Sequence, residues 1–160
     1  MLTQEQLKEL LDYDPDTGHF AWRVDRGSAY AGKRAGYLNC YGYRKIEICG
    51  RAYAAHRLAW LYVYGEGPAT DVDHIDRNKS NNSILNLRLA TDSENVQNSN
   101  VRIDSTCGCK GVGWHKAAKK WAAYITLHGT QKHLGLYSTL LDAAAARKSA
   151  EIELHPYRAA

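Results

Sequence analysis

The stretch from residue 72 to residue 100 contains side chains whose types could perform chemistry. It holds one histidine, His74, between acidic residues, and it continues with seven asparagines: Asn78, Asn81, Asn82, Asn86, Asn95, Asn98 and Asn100. An imidazole titrates near neutral pH and can take a proton from water, whereas carboxylate and amide oxygens suit Mg²⁺ or Mn²⁺. The stretch is therefore either a polar loop held by asparagine turns or a site that needs amide oxygens.

Local signals predict which elements would position these side chains. The pattern predicts a strand end, a loop, a short apolar segment and a helix, over residues 72–75, 77–82, 83–88 and from 91 or 92 onward. Asp73 and His74 would point to opposite faces, because side chains alternate along a strand. Glu94 stands where a capping box places its acid, which supports a helix start just before it.

The spacing of the polar residues resembles that of a known family. The run D-H-I-D-x-N-x-x-N-N-x-I-x-N-L-R (73–88), followed by T-x-x-E-N-x-x-N (91–98), resembles HNH nucleases of the phage and homing-endonuclease type. The upstream runs H-R-L-A-W-x-Y-x-x-G (56–65) and Y-D-P-x-T-G-x-F-x-W (13–22) are similar to phage members of that family. The resemblance extends over residues 13–100 and implies a ββα-metal fold that cleaves phosphodiester bonds.

Carried onto this chain, the family's functional residues fall on four positions. The resemblance implies that His74 is the general base, and that Asp73 and Asn95 hold one divalent cation, Mg²⁺ or Mn²⁺. Asn86 would orient the imidazole without adding charge. Because the last position is asparagine rather than histidine, the chain resembles the H-N-N variant of the family.

Several of these polar residues also have a purely structural interpretation. Asn86 could instead stabilise the loop through an Asx turn, and Asn78, Asn81 and Asn82 are interpreted as turn formers. His56 lies beside an apolar run, so we interpret it as a packing histidine rather than a contact of phosphate.

The first 65 residues predict a small region of helices and strands. The elements expected are a helix, a strand, a hairpin that turns at Gly50-Arg51 and a second helix, over residues 3–12, 19–24, 41–57 and 57–65. Basic and aromatic residues alternate along the hairpin, so Arg34, Arg44 and Lys45 form a candidate DNA surface. The alternative is a hairpin that only supports the nuclease.

Residues 110–150 predict three short strands, followed by an alanine-rich helix over 140–155. The patterns G-V-x-W, K-W-A-A-x-I, L-G-x-Y-x-T and D-A-A-x-A resemble the plant ethylene-response-factor type DNA-binding domain, whose three-stranded sheet lies in the major groove. Several base-reading arginines of that family are absent here, so contacts would rely on lysines that bind phosphate. The candidate contacts are Lys110, Trp114, Lys116, Lys120 and Lys132.

Charge and composition narrow the class of protein. The net charge of +4 is segregated, with 6 basic and 1 acidic residues over 31–60 and 8 basic and 3 acidic residues over 106–160, around an acidic centre. This distribution is typical of a protein that holds a polyanion at its ends and a cation between them. We expect no membrane span and no secretion signal, and the four cysteines, which lack C-x-x-C spacing, predict reduced thiols rather than a zinc site.

The sequence therefore predicts an α+β protein with a ββα-metal nuclease centre, flanked by an N-terminal β-hairpin region and a C-terminal three-stranded sheet plus helix. The expected segments are residues 1–55, 56–100, a linker at 101–109, and 110–157. The predicted function is metal-dependent cleavage of double-stranded DNA by a monomer or homodimer, in the cytoplasm of a bacterial host cell if a phage encodes it. The alternatives are a DNA-binding regulator with an inert nuclease motif, and a packaging or scaffold component.

Overall fold

The computed structural model describes residues 2–25, 27, 30–99, 101 and 107–154. The chain divides into two units, Met1–Thr91 and Asp92–Ala160, and each is described by itself. Residues 102–106 of the expected linker and residues 155–157 at the end of the last segment lie outside the described residues. The four-segment division stays a prediction.

The described residues of the first unit form two helices and seven strands. The helices are α1 (Gln4–Leu10) and α2 (Ala55–Tyr64). The strands are β1 (Leu11–Asp14), β2 (His19–Trp22), β3 (Tyr37–Leu38), β4 (Arg44–Ile48), β5 (Arg51–Ala54), β6 (Asp71–His74) and β7 (Leu87–Ala90). They pair in antiparallel sheets of order β1-β2, β3-β4-β5 and β6-β7.

Local sequence explains the ends of both helices in the first unit. Thr3 and Gln6 form a capping box at the start of α1, and Leu7 on that helix is fully buried. Helix α2 begins at Ala55, two residues earlier than predicted, and ends at Gly65, whose left-handed conformation costs little without a Cβ. The two helices pack beside a core that includes Phe20.

The predicted hairpin is confirmed, with its turn shifted by one residue. Strands β4 and β5 are joined at Cys49 and Gly50, both at positive φ, which is the conformation of a tight hairpin turn. Ile46 and Ile48, which alternate along β4, are buried on one face of the hairpin. Strand β3 was not predicted, because two residues are too few to carry an alternating pattern.

The second unit contains the three strands and the helix that the sequence predicts. Its elements are α3 (Asp92–Asn98), β8 (Val112–His115), β9 (Lys120–Leu127), β10 (Thr130–Tyr137) and α4 (Leu140–Leu154), with sheet order β10-β9-β8. The Thr139 hydroxyl accepts from the backbone N–H of Asp142 at 3.1 Å, as an N-cap does. The fold is α+β, and in the described part of the chain no helix is long and apolar enough to cross a membrane.

Candidate functional site

The β6-β7 hairpin positions Asp73 and His74 at the entrance to the asparagine-rich loop. Asp73 lies opposite Arg88 and His74 opposite Leu87 in the ladder. His74 is buried, at 4% exposure, whereas Asp73 points to the other face. The predicted order of strand, loop, strand and helix is confirmed from β6 to α3.

The imidazole of His74 contacts the amide of Asn82. Its Nε2 lies 3.1 Å from Asn82 Oδ1, and Asn82 Nδ2 donates to the carbonyl oxygen of Ser80 at 3.2 Å, which supports that orientation of the amide. Because an amide oxygen can only accept, Nε2 carries the proton of a neutral imidazole and the lone pair lies on Nδ1.

Asn86 does not make the contact that was predicted for it. Its Oδ1 accepts from the backbone N–H of Asp76 at 3.0 Å, and its Nδ2 donates to Asp76 Oδ1 and to the carbonyl oxygen of Asn81, each at 2.9 Å. The single 3₁₀ turn Ile84–Asn86 carries this side chain across the loop rather than toward the imidazole. The amide that orients His74 is therefore Asn82, which we had interpreted as a turn former.

The other loop asparagines form turns, as expected. Asn81 Nδ2 donates to Asp76 Oδ2 at 2.7 Å, and Asn78 Oδ1 accepts from the Ser80 hydroxyl at 2.8 Å. Burial alone would raise the pKa of Asp76, but hydrogen bonds from Asn81, Asn78 and Asn86 outweigh it and lower the pKa. The loop is thus organised around an ionised carboxylate one turn away from His74.

Two further rings surround the imidazole. The ring of His56 meets that of His74 edge-on at 5.0 Å between centroids, and Tyr43 lies 5.5 Å from His56 and 6.1 Å from His74. Burial, with added repulsion from His74, Arg57 and Lys45, lowers the pKa of His56 to about 3. These ring contacts agree with the interpretation of His56 as a packing histidine, which stays a prediction.

The environment of His74 favours its neutral form. Burial lowers the pKa of His74, and the nearby Lys79 acts in the same direction. The hydrogen bond with Asn82 and the charges of Asp73 and Asp76 oppose this shift without reversing it. An imidazole that stays neutral at physiological pH is able to act as a base.

The predicted metal ligand Asp73 forms an ion pair with Arg88. Arg88 Nη2 lies 3.1 Å from Asp73 Oδ2, and both side chains are largely buried. Asn95 lies on α3 in the second unit, so its pairing with Asp73 around a cation stays a prediction. Carboxylate and amide oxygens are nevertheless the donors that Mg²⁺ and Mn²⁺ prefer.

Among the described residues, no group of three or more histidine, cysteine, aspartate or glutamate side chains could hold a metal ion. None of the four cysteines, all of which lie in the described part of the chain, forms a disulfide.

The candidate DNA contacts of the first unit differ in what they touch. Arg44 Nη1 donates to the carbonyl oxygen of Gly36 at 2.8 Å, so this side chain holds the backbone next to β3. Arg34 is exposed, and Lys45 is half-buried close enough to His56 to affect its pKa. Lys79, in the asparagine-rich loop, reaches the carbonyl oxygen of Tyr41 at 3.3 Å.

Lys110 in the second unit has a structural contact that the sequence did not reveal. Its ammonium donates to the carbonyl oxygens of Val96, Gln97 and Ser99 at 2.7, 3.2 and 3.1 Å, at the end of α3. A lysine in this position satisfies the last carbonyls of a helix and its dipole. The expectation that Lys110 contacts DNA is therefore not supported by its geometry.

The remaining candidates in the second unit are exposed but do not share one face of the sheet. Trp114 pairs with Trp121, and Lys132 with Ile125, which places both candidates on the face of Ile125. Lys120 precedes Trp121 and therefore points to the opposite face. Lys116 is exposed after the end of β8. These candidate residues therefore cannot all contact one DNA groove through the same face of the sheet.

Comparisons with known proteins relate the chain to a family of endonucleases. A family model described as HNH endonuclease matches residues 53–97. The chain is 37% identical to protein 3.8 of Escherichia phage T7 over 106 residues, an alignment covering 66% of this chain and 87% of that protein.

A solved structure described as "DNA binding and cleavage by the HNH homing endonuclease I-HmuI" is also similar. Its TM-score is 0.43 at 24% identity, over 91% of this chain and 77% of that chain. Because the alignment covers 87% of protein 3.8 at 37% identity, the chain belongs to the family of protein 3.8. Because the HNH endonuclease model matches residues 53–97, the chain contains an HNH endonuclease domain.

Proposed function

We propose that the protein is a metal-dependent endonuclease that hydrolyses phosphodiester bonds in double-stranded DNA. The observation that carries the proposal is the contact between His74 and Asn82, which lies inside the segment that matches the HNH endonuclease model. This contact holds a buried imidazole in one orientation with its Nε2 proton directed to an amide oxygen, and Nδ1 is then the proton acceptor that a general base needs.

The chain's own residues would divide the work of hydrolysis. With Nε2 bound to Asn82, Nδ1 of His74 accepts the proton of the attacking water, a role worth roughly 10²–10⁴-fold in rate. Asp73 and Asn95 would hold one Mg²⁺ or Mn²⁺, which when bound supplies Lewis acidity and stabilises the leaving 3′ oxygen. Arg88 orients the Asp73 carboxylate through their ion pair across the β6-β7 hairpin, with Nη2 3.1 Å from Oδ2.

Basic residues of both units would bind the DNA backbone. Arg34 and Lys45 in the first unit, and Lys116, Lys120 and Lys132 in the second, are candidates for phosphate contacts, which position DNA without reading its sequence. The C-terminal sheet and helix would act as an ethylene-response-factor-like DNA-binding module, with Trp114 as an aromatic contact. The protein would work as a monomer or homodimer in the cytoplasm of a bacterial host.

The test compares plasmid nicking by the wild type, His74→Ala and His128→Ala, with Mg²⁺ or Mn²⁺ added. His128 is an exposed histidine between β9 and β10 and serves as the control for loss of a surface imidazole. We expect His74→Ala to lower the nicking rate by at least about 10²-fold, with unchanged DNA affinity, while His128→Ala cleaves like the wild type. Equal cleavage by all three proteins would refute the assignment.

The same experiment separates the alternative function. A DNA-binding regulator would retain salt-dependent DNA affinity and show no metal-dependent nicking in the wild type. Nicked and linear products, scored separately, also show whether the enzyme cuts one strand or both.

A further inference from the structure

We propose that Tyr13 and the turn Asp14–Gly18 are positioning elements of the active site, because they clamp the backbone of Asn82 and thereby hold its amide on His74. This inference rests on the proposed function. It assigns a positioning role to a hairpin that lies more than sixty residues upstream in sequence and outside the segment matched by the HNH model.

The amide of Asn82 depends on its backbone for its position. The residue is 1% exposed, and its side chain bonds to His74 on one side and to the Ser80 carbonyl on the other. The amide reaches the imidazole through two side-chain torsions only, so a displaced backbone at residue 82 would displace Oδ1 by a similar distance. A hydrogen bond of 3.1 Å tolerates little lengthening before it is lost.

Two hydrogen bonds attach this backbone to the N-terminal hairpin. The Tyr13 hydroxyl donates to the carbonyl oxygen of Asn82 at 2.7 Å, in a buried position, and the backbone N–H of Ile84 donates to the carbonyl oxygen of Pro15 at 3.1 Å. The Tyr13 ring is itself held by Phe20, with centroids 4.6 Å apart. The backbone on each side of Ser83 is therefore anchored to the hairpin.

Close approach of the two chains depends on Gly18. Its φ is +70°, and a Cβ at this position would lie 2.2 Å from the backbone carbon of Asn82 and 2.2 Å from the nitrogen of Ser83. The obstacle is backbone on both sides, so no side-chain movement could relieve it. Within the turn, the Asp14 carboxylate accepts from the backbone N–H of Asp16 at 3.0 Å and from the Thr17 hydroxyl at 2.6 Å, which keeps the clamp rigid.

The test uses the full chain with three variants. Tyr13→Phe retains the ring and removes the one hydroxyl, Gly18→Ala forces the two backbones apart, and Tyr62→Phe is the matched control. Tyr62 packs on the same ring cluster, 5.5 Å from Tyr13. One readout is kcat and KM for plasmid nicking, and the other is the tautomer of His74, measured by ¹H–¹⁵N NMR of histidine-labelled protein.

We expect Tyr13→Phe to lower kcat by about tenfold with KM unchanged, as removal of a partner that orients a catalytic group does. The His74 signals should shift from the Nε2-protonated form toward a mixture of tautomers, and Gly18→Ala should show both effects more strongly. Tyr62→Phe should match the wild type in both readouts.

If Tyr13→Phe has the kcat and the His74 tautomer of the wild type, the proposed role of the hairpin is refuted. A decrease of kcat in Tyr62→Phe equal to that in Tyr13→Phe would refute it as well. If Gly18→Ala does not fold, Tyr13→Phe decides the question alone. The NMR readout needs no cleavage, so a wild type that binds DNA without nicking it would refute the proposed function and still leave the clamp testable.

Discussion

Replacement of His56 by phenylalanine should make the stability of the first unit less sensitive to mild acid. The imidazole of His56 is buried against His74 and Tyr43, and its Nδ1 has no hydrogen-bond partner in the described part of the chain. Phenylalanine keeps a ring of similar size in contact with both neighbours and cannot take a proton. The substitution therefore removes a titration without emptying the site.

The magnitude follows from the pKa of His56 in the two states. In the unfolded chain the pKa is 6.5, whereas burial lowers it to about 3 in the folded protein. Protonation of His56 does not affect the unfolding free energy above pH 6.5. As the pH falls from 6.5 toward 3, only the unfolded chain binds the proton, so the unfolding free energy decreases. At pH 5 the unfolded state gains roughly 1.36 kcal/mol for each unit below 6.5, or about 2 kcal/mol.

Urea unfolding at pH 7.5 and pH 5.0 would measure this difference. Isoleucine methyl NMR signals of Ile46 and Ile48 report the core of the first unit alone, which matters because the two units need not unfold together. We expect the wild type to lose about 2 kcal/mol more unfolding free energy than His56→Phe between the two pH values. Removal of the exposed His128 should leave the wild-type difference unchanged, and parallel losses in wild type and His56→Phe would refute the reasoning.

Two further predictions concern charged side chains. Arg88→Gln should tighten Mn²⁺ binding by about tenfold in calorimetry, because it removes a competing positive charge from Asp73. The control is Arg23→Gln, which removes an exposed ion pair elsewhere and should leave Mn²⁺ affinity unchanged. Unchanged Mn²⁺ affinity in Arg88→Gln would argue against Asp73 as a ligand. Lys110→Met should lower the unfolding free energy of the second unit by about 1–2 kcal/mol and leave the salt dependence of DNA binding intact. Lys116→Gln should instead reduce the salt slope by about one, and the reverse result would restore Lys110 as a DNA contact.

Most of the fold could be predicted because its signals are local. The capping box of Thr3, the glycine that ends α2 and the alternation of Ile46 and Ile48 each depend on a few neighbouring residues. The same is true of the loop turns at Asn78 and at the ionised Asp76. Such features are determined by backbone geometry and short hydrogen bonds, whatever the rest of the chain does.

The sequence by itself determined most of the helices and strands, and which short stretch holds the imidazole and its neighbours. Only the tertiary structure decided which asparagine reaches that imidazole. Asn82 and Asn86 lie in one irregular loop, where no periodicity assigns a direction to a side chain, and contacts with the distant Tyr13 and Gly18 fix the backbone at residue 82. The hydrogen bond from Lys110 to the carbonyl oxygen of Val96 also depends on folding, because it joins residues that are distant in sequence. No pattern of neighbouring residues predicts it.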